Sequence, residues 1–205
     1  MKRIISTFVF LTLSLVAFTQ AGGGIISFNY SVGMTMGSSK DFVSPVSGRG
    51  FNLDVRFNVT ENISIGGLVG WNYFHERLER NVYQTTGSNG APITINAMQV
   101  RSFNMLPLMF QTQYHFISGS NNIKPYVGLG LGGIRVDYEK YWADLLDEKE
   151  QWVFGLSPQV GVLIPFASDL SGINIEVKYN WANFSYNEVN SVSYLDANIG
   201  VFFDF

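Results

Sequence analysis

No cysteine occurs among the 205 residues of the chain, which excludes disulfide bonds, a cysteine-bound zinc site and a lipid-modified N-terminal cysteine. Charge is also scarce, because Asp, Glu, Lys and Arg make up only 14% of the residues, against about 25% in an ordinary soluble domain. The thirteen lysines and arginines form no run and no basic stripe. Nucleic acid is therefore not an expected partner.

What the sequence has in quantity is glycine and aromatic residues, with 21 Gly, 17 Phe, 10 Tyr and 4 Trp. Aromatic side chains suit the pleated surface of a sheet, and glycine suits bends and close backbone contacts. This composition favours strands over a helical bundle. The length fits a single domain.

The first 21 residues have the pattern of a secretory signal peptide. Lys2 and Arg3 precede an apolar run over residues 4–18, and small or polar residues follow at 19–21. A membrane anchor is the alternative, but such a helix needs about 20 consecutive apolar residues, and this shorter run is diluted by Ser and Thr. We therefore expect residues 1–21 to be cleaved and residues 22–205 to form the mature domain.

From residue 24 onward, apolar and polar residues alternate with a period of two almost to the C-terminus. The clearest segment, 51–60, sets Phe51, Leu53, Val55, Phe57 and Val59 against Asn52, Asp54, Arg56, Asn58 and Thr60. Lipid on one side of a strand and a polar lumen on the other require this pattern. It predicts an all-β fold, namely a closed, antiparallel, up-and-down transmembrane β-barrel of about eight strands, at residues 26–36, 51–60, 63–75, 100–116, 125–139, 152–164, 173–181 and 192–205.

Two of these strands are irregular. In the fourth, Phe103, Met105 and Met109 fall on the inward face, which predicts a bulge or a partly plugged lumen. In the fifth, the pair Gly132-Gly133 predicts a register slip of the β-bulge type. Such a slip would turn the following residues over, with Ile134, Val136 and Tyr138 outward and Arg135 and Asp137 inward.

The connections between the strands alternate in length. Those at 37–49, 77–97, 140–151 and 183–191 are mostly longer and polar, whereas those at 60–62, 117–124 and 166–172 are shorter. Outer-membrane barrels have long extracellular loops and short periplasmic turns. Both termini are therefore expected on the periplasmic side.

Two features decide that the polar face is the inside, although a lipocalin-like soluble barrel would have the opposite orientation. The first is the composition of the two faces. Aromatic residues crowd the ends of the apolar face, as in the girdles of membrane barrels. The polar face carries charges of both signs that can pair across a narrow lumen. We expect this lumen charge network to comprise Asp54, Arg56, Arg101, Arg135, Asp137, Glu176, Lys178 and Asp196.

The second feature is the C-terminus, which resembles the β-signal that the barrel-assembly machinery recognises in outer-membrane proteins. That signal places a polar residue, a glycine and two aromatic residues at set positions, and Asn198, Gly200, Phe203 and Phe205 fill all four. The resemblance implies an outer-membrane location and the assembly machinery as a partner.

The mature chain as a whole resembles the small eight-stranded outer-membrane barrels related to OmpX and to the transmembrane domain of OmpA. Residues 124–132, Lys-Pro-Tyr-Val-Gly-Leu-Gly-Leu-Gly, are similar to a Pro-Tyr-Val-Gly-x-Gly segment common in that superfamily. The resemblance implies a filled or water-spotted lumen, mobile surface loops and roles ranging from envelope stability to adhesion. It does not extend to a peptidoglycan-binding domain after Phe205, so no anchoring through such a domain is expected.

No residue pattern predicts catalysis or a cofactor. Lipid A deacylases among small barrels attack an ester with a His, a Ser and a carboxylate, and their His-x-Ser element has no counterpart in residues 178–183. His75, at the outer end of the third strand, is the only plausible base and is expected to be a solvated side chain. The acidic residues in the predicted loop 140–151 lack the spacing of a calcium loop, so no metal site is expected at Asp144, Asp147, Glu148 and Glu150.

An eight-stranded barrel has an interior just wide enough for side chains to fill it, which disfavours a general porin. We expect a structural or surface-interaction role, in which the loops 77–97 and 140–151 contact surfaces, lipopolysaccharide or a surface or envelope protein. Two alternatives stay open. One is a narrow channel or carrier for small or apolar solutes, and the other is an accessory barrel of a secretion apparatus, as in the PorT-like barrels.

Overall fold

The computed structural model describes residues 23–86, 90–116, 123–142, 145–166 and 170–205. The expected signal peptide, Asp144 and parts of two expected short turns lie outside these ranges. None of the helices in the described ranges is long and apolar enough to cross a membrane. The elements are β1 (Gly24–Met36), α1 (Ser38–Phe42), β2 (Gly50–Asn58), β3 (Ile63–Thr86), β4 (Pro92–His115), β5 (Lys124–Trp142), β6 (Leu145–Pro165), β7 (Ser171–Ala182) and β8 (Val192–Asp204).

The eight strands form one closed barrel in sequence order, each antiparallel to its neighbours. β8 closes the ring on β1, with a register that runs from Ile25 opposite Asp204 to Met36 opposite Ser193. Gly24 and Phe205 exchange backbone hydrogen bonds of 2.7 and 2.8 Å, so the first and last strands end together. The predicted fold class and strand count are confirmed.

Burial follows the alternation of the sequence. Along β1, the small and polar side chains Ser27, Asn29 and Ser31 are buried in the lumen, and large apolar side chains such as Phe28 and Tyr30 are exposed on the outer face. A soluble barrel would bury the second set. The outer face is therefore the lipid-facing one, as predicted.

Four neighbouring strands rise above the rest of the barrel at the end opposite the termini. β3 and β4 each contain 24 residues and β6 contains 21, although a transmembrane strand needs only about 9–11. The predicted loops at 77–97 and 140–151 are therefore wrong in kind, because most of both segments is strand. Their polarity reflects a position above the lipid-facing band and not the absence of a ladder.

We name the upper part of these four strands the extracellular wall. It begins with the row of paired residues His75, Ser102, Glu139 and Glu148 and comprises residues 75–86, 92–102, 139–142 and 145–148. Its only register shift among the described pairs lies between Leu78 and Asn81, on β3. The short connection between Asn58 and Ile63 lies at the opposite end of the barrel, with the termini. That end is the periplasmic one by the length rule for outer-membrane barrels.

The predicted register slip at Gly132-Gly133 is wrong. Gly132 pairs with Met109 and Gly133 with Leu108 in one unbroken register. Ile134, Val136 and Tyr138 are therefore buried in the lumen, and Arg135 and Asp137 face outward. The prediction failed because the lumen is apolar at this height, so hydrophobicity alone does not tell the inner face from the outer one.

Candidate functional site

The middle of the lumen is a polar layer built around two ion pairs. Arg56 Nε lies 2.7 Å from Asp54 Oδ1, and Lys178 Nζ lies 3.0 Å from Glu176 Oε1. Each pair joins residues i and i+2 of one strand, whose side chains lie on the same face. All four side chains are almost completely buried, so each charge depends on its partner and on further hydrogen bonds.

Those further hydrogen bonds link the two ion pairs to neighbouring strands. Arg56 donates to Ser27 Oγ at 2.8 Å and also to Gln113 Oε1. Tyr126 donates to Glu176 Oε2 at 3.0 Å and lies under the Arg56 guanidinium, which is 5.7 Å from its ring centroid. Five strands therefore share one buried network, which leaves the barrel little freedom to open at this height.

Below this layer, the periplasmic end of the lumen is closed by a small apolar cluster. Ile25, Tyr126, Leu163 and Phe202 pack together and are nearly inaccessible to solvent. Tyr126 belongs both to this cluster and to the polar layer, through its ring and its hydroxyl. The lumen is thus filled at the periplasmic end as well.

Asp196 lies at the upper edge of the polar layer and differs from the other acids there. Its carboxylate accepts hydrogen bonds from Asn72 at 3.1 Å and Asn180 at 3.0 Å, and no cation among the described residues lies within ion-pair distance. Gly33 makes room for it, because a Cβ at that position would lie 2.6 Å from Asp196 Oδ1. Only glycine fits there without displacing the carboxylate.

The extracellular half of the lumen is apolar. It is lined by buried side chains from six strands, β3 to β8, and closed from above by α1 and the segment 183–191. The cluster comprises Phe42, Val43, Leu68, Phe74, Phe103, Met105, Met109, Ile134, Val136, Tyr138, Val153, Ala182, Phe184, Val189, Val192 and Tyr194. The predicted inward position of Phe103, Met105 and Met109 is confirmed. Of the two alternatives, these side chains plug the lumen and do not mark a bulge. Sequence reasoning missed Phe42 and Phe184, and the only signal was a large aromatic residue inside each of two polar segments.

The helix α1 is tied into the mouth of the barrel by Arg101. This guanidinium donates to the carbonyl oxygens of Asp41 and Phe42 at 3.1 and 3.2 Å, and it lies 5.3 Å from the Phe42 ring centroid. Ser38 and Ser39 donate to the carbonyl oxygen of Ser191 at 2.8 and 3.1 Å, which joins α1 to the second segment. We name α1 and the segment 183–191 together the cap.

The segment 183–191 is docked on the inner face of the extracellular wall. Lys140 Nζ lies 2.6 Å from Glu188 Oε1, and Tyr186 donates to Asp147 Oδ1 at 2.7 Å. Partial burial opposes ionisation of Glu188, but the hydrogen bond and the charge of Lys140 outweigh it, so the pKa of this carboxyl is lowered. The docking contact therefore favours an ionised Glu188 at neutral pH.

The structure brings together five of the eight residues expected in the lumen charge network, namely Asp54, Arg56, Glu176, Lys178 and Asp196. Arg101 points inward as predicted, but it binds backbone carbonyls of α1 instead of a carboxylate. The expected lumen position is wrong for Arg135 and Asp137, because both lie on the outer face. There Arg135 makes contacts of 3.1 Å with Asp137 and 2.8 Å with Glu150.

The four residues of the predicted assembly signal lie on the closing strand β8. Asn198 faces the lumen and donates to Glu176 Oε1 at 3.1 Å, and Phe203 and Phe205 are exposed on the outer face. Gly200 has a structural role of its own, because a Cβ there would lie 2.0 Å from the Phe28 carbonyl oxygen. Recognition of these residues by the assembly machinery stays a prediction.

The residues considered for chemistry are separated in space. His75 stacks on Tyr73 on the outer face, at 6.1 Å between ring centroids, and makes no hydrogen bond within the described ranges. Asp147, Glu148 and Glu150 lie on β6 and not in a loop. Among the residues that the structure describes, no group of three or more acids and histidines has the geometry to hold a metal ion.

Comparisons with known proteins agree with this architecture. The model of the OmpW family matches residues 43–192. Neisserial surface protein A has a similar structure, with a TM-score of 0.58 and 16% identity over 89% of this chain and 97% of the other. The outer membrane protein OprG from Pseudomonas aeruginosa matches with a TM-score of 0.47 and 14% identity, over 90% and 96%. No curated protein sequence matches the chain.

Proposed function

Because this chain belongs to the OmpW family and is an integral outer-membrane β-barrel, we propose that it is a non-conducting barrel that acts at the cell surface through its extracellular wall. The observation that carries the proposal is the free edge of β3. Above Tyr73, β3 pairs only with β4 among the described strands. Such an edge offers backbone donors and acceptors to a partner strand.

The filled lumen supports the non-conducting part of the proposal. Three successive layers occupy it, namely the apolar cluster at the periplasmic end, the network of ion pairs and the apolar cluster under the cap. Arg56, Tyr126 and Phe103 are among the largest side chains, and each is essentially inaccessible. An ion crossing this lumen would have to displace a buried charge or an aromatic ring.

The composition of the wall supports the surface role. It carries exposed charges, at Arg77, Glu79, Arg80 and Glu148, which are interspersed with exposed apolar side chains such as Val82 and Leu146, whereas the lipid-facing band below is almost entirely apolar. The cap braces it from the inside through Lys140 and Asp147. A braced, four-stranded wall with exposed charged and apolar side chains is suited to contact a protein, a surface or the sugars of lipopolysaccharide. An accessory role beside a secretion apparatus would use the same edge.

Two measurements test this function. The first is single-channel conductance of the refolded mature chain in planar bilayers, with the heat-modifiable gel shift as the sign of a closed barrel. We expect the shift without conductance, and steady conductance would contradict the proposal. The second places a photo-crosslinking residue at Val82, which is exposed on the wall, with the lipid-facing Val127 as the control. Cross-links to one defined protein from Val82 alone are expected, and equal labelling at both positions would contradict a role for the wall.

A second candidate function is a carrier for small apolar molecules, and it rests on the apolar half of the lumen. The Tyr194 hydroxyl is buried there with no hydrogen-bond partner in the described part of the chain, so it could bind one polar group of a guest. The ladder between β3 and β4 also lacks the pairs opposite Leu106 and Pro107, because proline has no N–H to donate. Calorimetric titration of indole into the barrel in nanodiscs tests this, with Tyr194→Phe as the variant. Binding that weakens in the variant would support a carrier, and absence of binding would leave only the surface role.

We also propose that the barrel is not an enzyme. The single histidine near the extracellular surface, His75, faces away from the lumen; Ser102 lies opposite it on β4, but the Ser102 hydroxyl donates to Glu139 at 3.0 Å and makes no hydrogen bond to His75 among the described residues. A nucleophile–base pair needs such a contact. Ester hydrolysis that disappears in His75→Ala would contradict this part of the proposal.

A further inference from the structure

A small recess lies on the outer face of the barrel at its extracellular end. It forms where the chain leaves α1 and enters β2 beside β3, and it has a volume of about 200 Å³. Its lining is part polar and part aromatic, and consists of Val46, Ser47, Gly48, Arg49, Tyr73 and His75. It is separate from the lumen and from the free edge of β3 higher on the wall.

The recess is built on hydrogen bonds that hold its shape. The Tyr73 N–H donates to the Arg49 carbonyl oxygen at 2.9 Å, and Ser47 Oγ lies 3.2 Å from the Arg49 N–H, which donates to it. Gly33 and Ser47 exchange two backbone hydrogen bonds of 2.8 Å, and Tyr30 donates to the Gly48 carbonyl oxygen. The segment 46–49 is thus tied to β1 and β3, so its side chains have defined positions.

The recess contains an arginine with no acidic partner, and this arginine lies against a stack of aromatic rings. The Arg49 guanidinium lies 5.7 Å from the Tyr73 ring centroid, and it makes no ion pair or hydrogen bond within the described ranges. Tyr73 stacks on Trp71 at 6.3 Å and on His75 at 6.1 Å, with interplanar angles of 11° and 17°. Five guanidinium N–H donors are therefore available to an anion.

The carboxylates near this recess are turned away from it or engaged elsewhere. Glu76 accepts hydrogen bonds from the Ser44 N–H and hydroxyl, both at 2.9 Å. It lies on the inward-facing side of β3, as Phe74 does. Glu139 lies two strands away and accepts a hydrogen bond of 3.0 Å from Ser102. Arg49 thus gives this part of the outer face a local positive charge.

The height of the recess identifies the anion. The outward residues of β3 change upward from apolar, at Ile65 and Val69, to aromatic, at Trp71 and Tyr73, and then to polar at His75. This is the sequence of environments from the hydrocarbon core through the aromatic girdle to the aqueous edge. In an outer membrane of this type, the outer leaflet at that height presents the phosphate groups of lipopolysaccharide.

We propose that Arg49, with Tyr73 and His75, forms a binding site for a phosphate of lipid A in the outer leaflet. The planar guanidinium pairs with phosphate through two parallel hydrogen bonds, which lysine cannot provide. The aromatic stack below packs against the first methylenes of the acyl chains. The site depends on the outer-membrane location and not on the closed lumen or the free edge of β3 above it, so its test is independent of the proposed function.

The test uses the refolded mature chain in nanodiscs of zwitterionic phospholipid. Binding of bisphosphorylated lipid A is measured by native mass spectrometry, beside fully dephosphorylated lipid A and phosphatidylglycerol. Arg49→Gln is the test variant. Arg135→Gln is its matched control, because Arg135 is also an outward arginine but is neutralised by Asp137 and Glu150. The heat-modifiable gel shift checks that each variant folds.

We expect Arg49→Gln to weaken binding of bisphosphorylated lipid A about tenfold, the loss of one charge-assisted bidentate contact, while Arg135→Gln changes it less than about twofold. Binding of dephosphorylated lipid A should be the same in all three proteins. Unchanged binding of bisphosphorylated lipid A to Arg49→Gln would overturn the site. An equal loss for phosphatidylglycerol would overturn its assignment to lipid A.

Discussion

Lys178 and Asp196 lie directly opposite each other on β7 and β8, yet they are not an ion pair. Lys178 instead pairs with Glu176 on its own strand at 3.0 Å, and amides of Asn72 and Asn180 hold the Asp196 carboxylate. Three acids and two bases therefore share the polar layer, and its stability depends on hydrogen bonds as much as on charge pairing. The layer closes the lumen because each of its charged side chains is held by an ion pair or by hydrogen bonds to a neighbour.

Replacing one member of the Lys178–Glu176 pair should cost more than replacing both. Lys178→Met leaves Glu176 buried without its cation, and we expect a loss of about 3–5 kcal/mol in the free energy of unfolding. Lys178→Met with Glu176→Leu removes both charges and should recover a large part of this loss. Urea unfolding in detergent micelles measures both values. A double variant that is less stable than the single one would contradict the ion-pair interpretation.

Gly200→Ala should prevent closure of the barrel between β8 and β1. The added Cβ would lie 2.0 Å from the Phe28 carbonyl oxygen, a distance that no backbone adjustment of ordinary size relieves. Gly67→Ala is the matched control, because the nearest atom to its Cβ would be the Met109 carbonyl oxygen at 3.8 Å. We expect the heat-modifiable gel shift to be lost in the first variant and kept in the second.

Phe203→Ala separates the proposed assembly signal from stability. Phe203 is exposed on the lipid-facing surface, so its loss should change unfolding in micelles by less than about 1 kcal/mol. If the side chain is read by the assembly machinery, the amount of folded barrel in cells should fall severalfold. Phe110→Ala, an equally exposed phenylalanine on β4, is the control. The same cellular yield for both variants would argue against the signal.

The cap should loosen in acid because of Glu188. Its pKa is lowered in the folded protein, so its contribution is complete above its usual value of 4.5 and is lost as the pH falls through the lowered value. Glu188 is partly exposed, so the effect should be about 0.5 kcal/mol. The hydrogen-exchange protection factors of residues 183–191, which correct for the intrinsic pH dependence of amide exchange, should fall below pH 4.5, and Glu188→Gln should show lower protection factors already at neutral pH. Protection factors that do not change with pH in the unmodified chain would contradict the contact.

Single cysteines test the corrected register of β5, and the chain contains no native cysteine to interfere. Asp137→Cys lies on the outer face near the aqueous edge and should react with a water-soluble maleimide. Val136→Cys is buried in the apolar half of the lumen and should not react. The reverse order of reactivity would restore the bulge at Gly132-Gly133.

The alternation of residues such as Phe51, Asn52 and Leu53 was enough to predict a lipid-facing barrel, because a strand between lipid and a polar lumen has a period of two. The same reasoning placed Asp54 with Arg56 and Glu176 with Lys178, since residues i and i+2 share a face wherever the strand lies. It also predicted eight strands and the end of the barrel at which the termini lie. These properties are local or follow from chain length and strand period.

What depends on contacts between distant segments had to come from the tertiary structure. The residues Ile134 and Arg135 have the same neighbours in sequence in either register, and only the apolar core brought by Phe42 and Phe184 decides which of them faces inward. The wall was mistaken for loops because a strand above the lipid-facing band has no continuous apolar face, although its ladder satisfies the backbone. The recess at Arg49 joins two segments that the sequence separates by more than twenty residues, from Arg49 to Tyr73 and His75. A cation and an aromatic stack become a site only when the strand register sets them side by side.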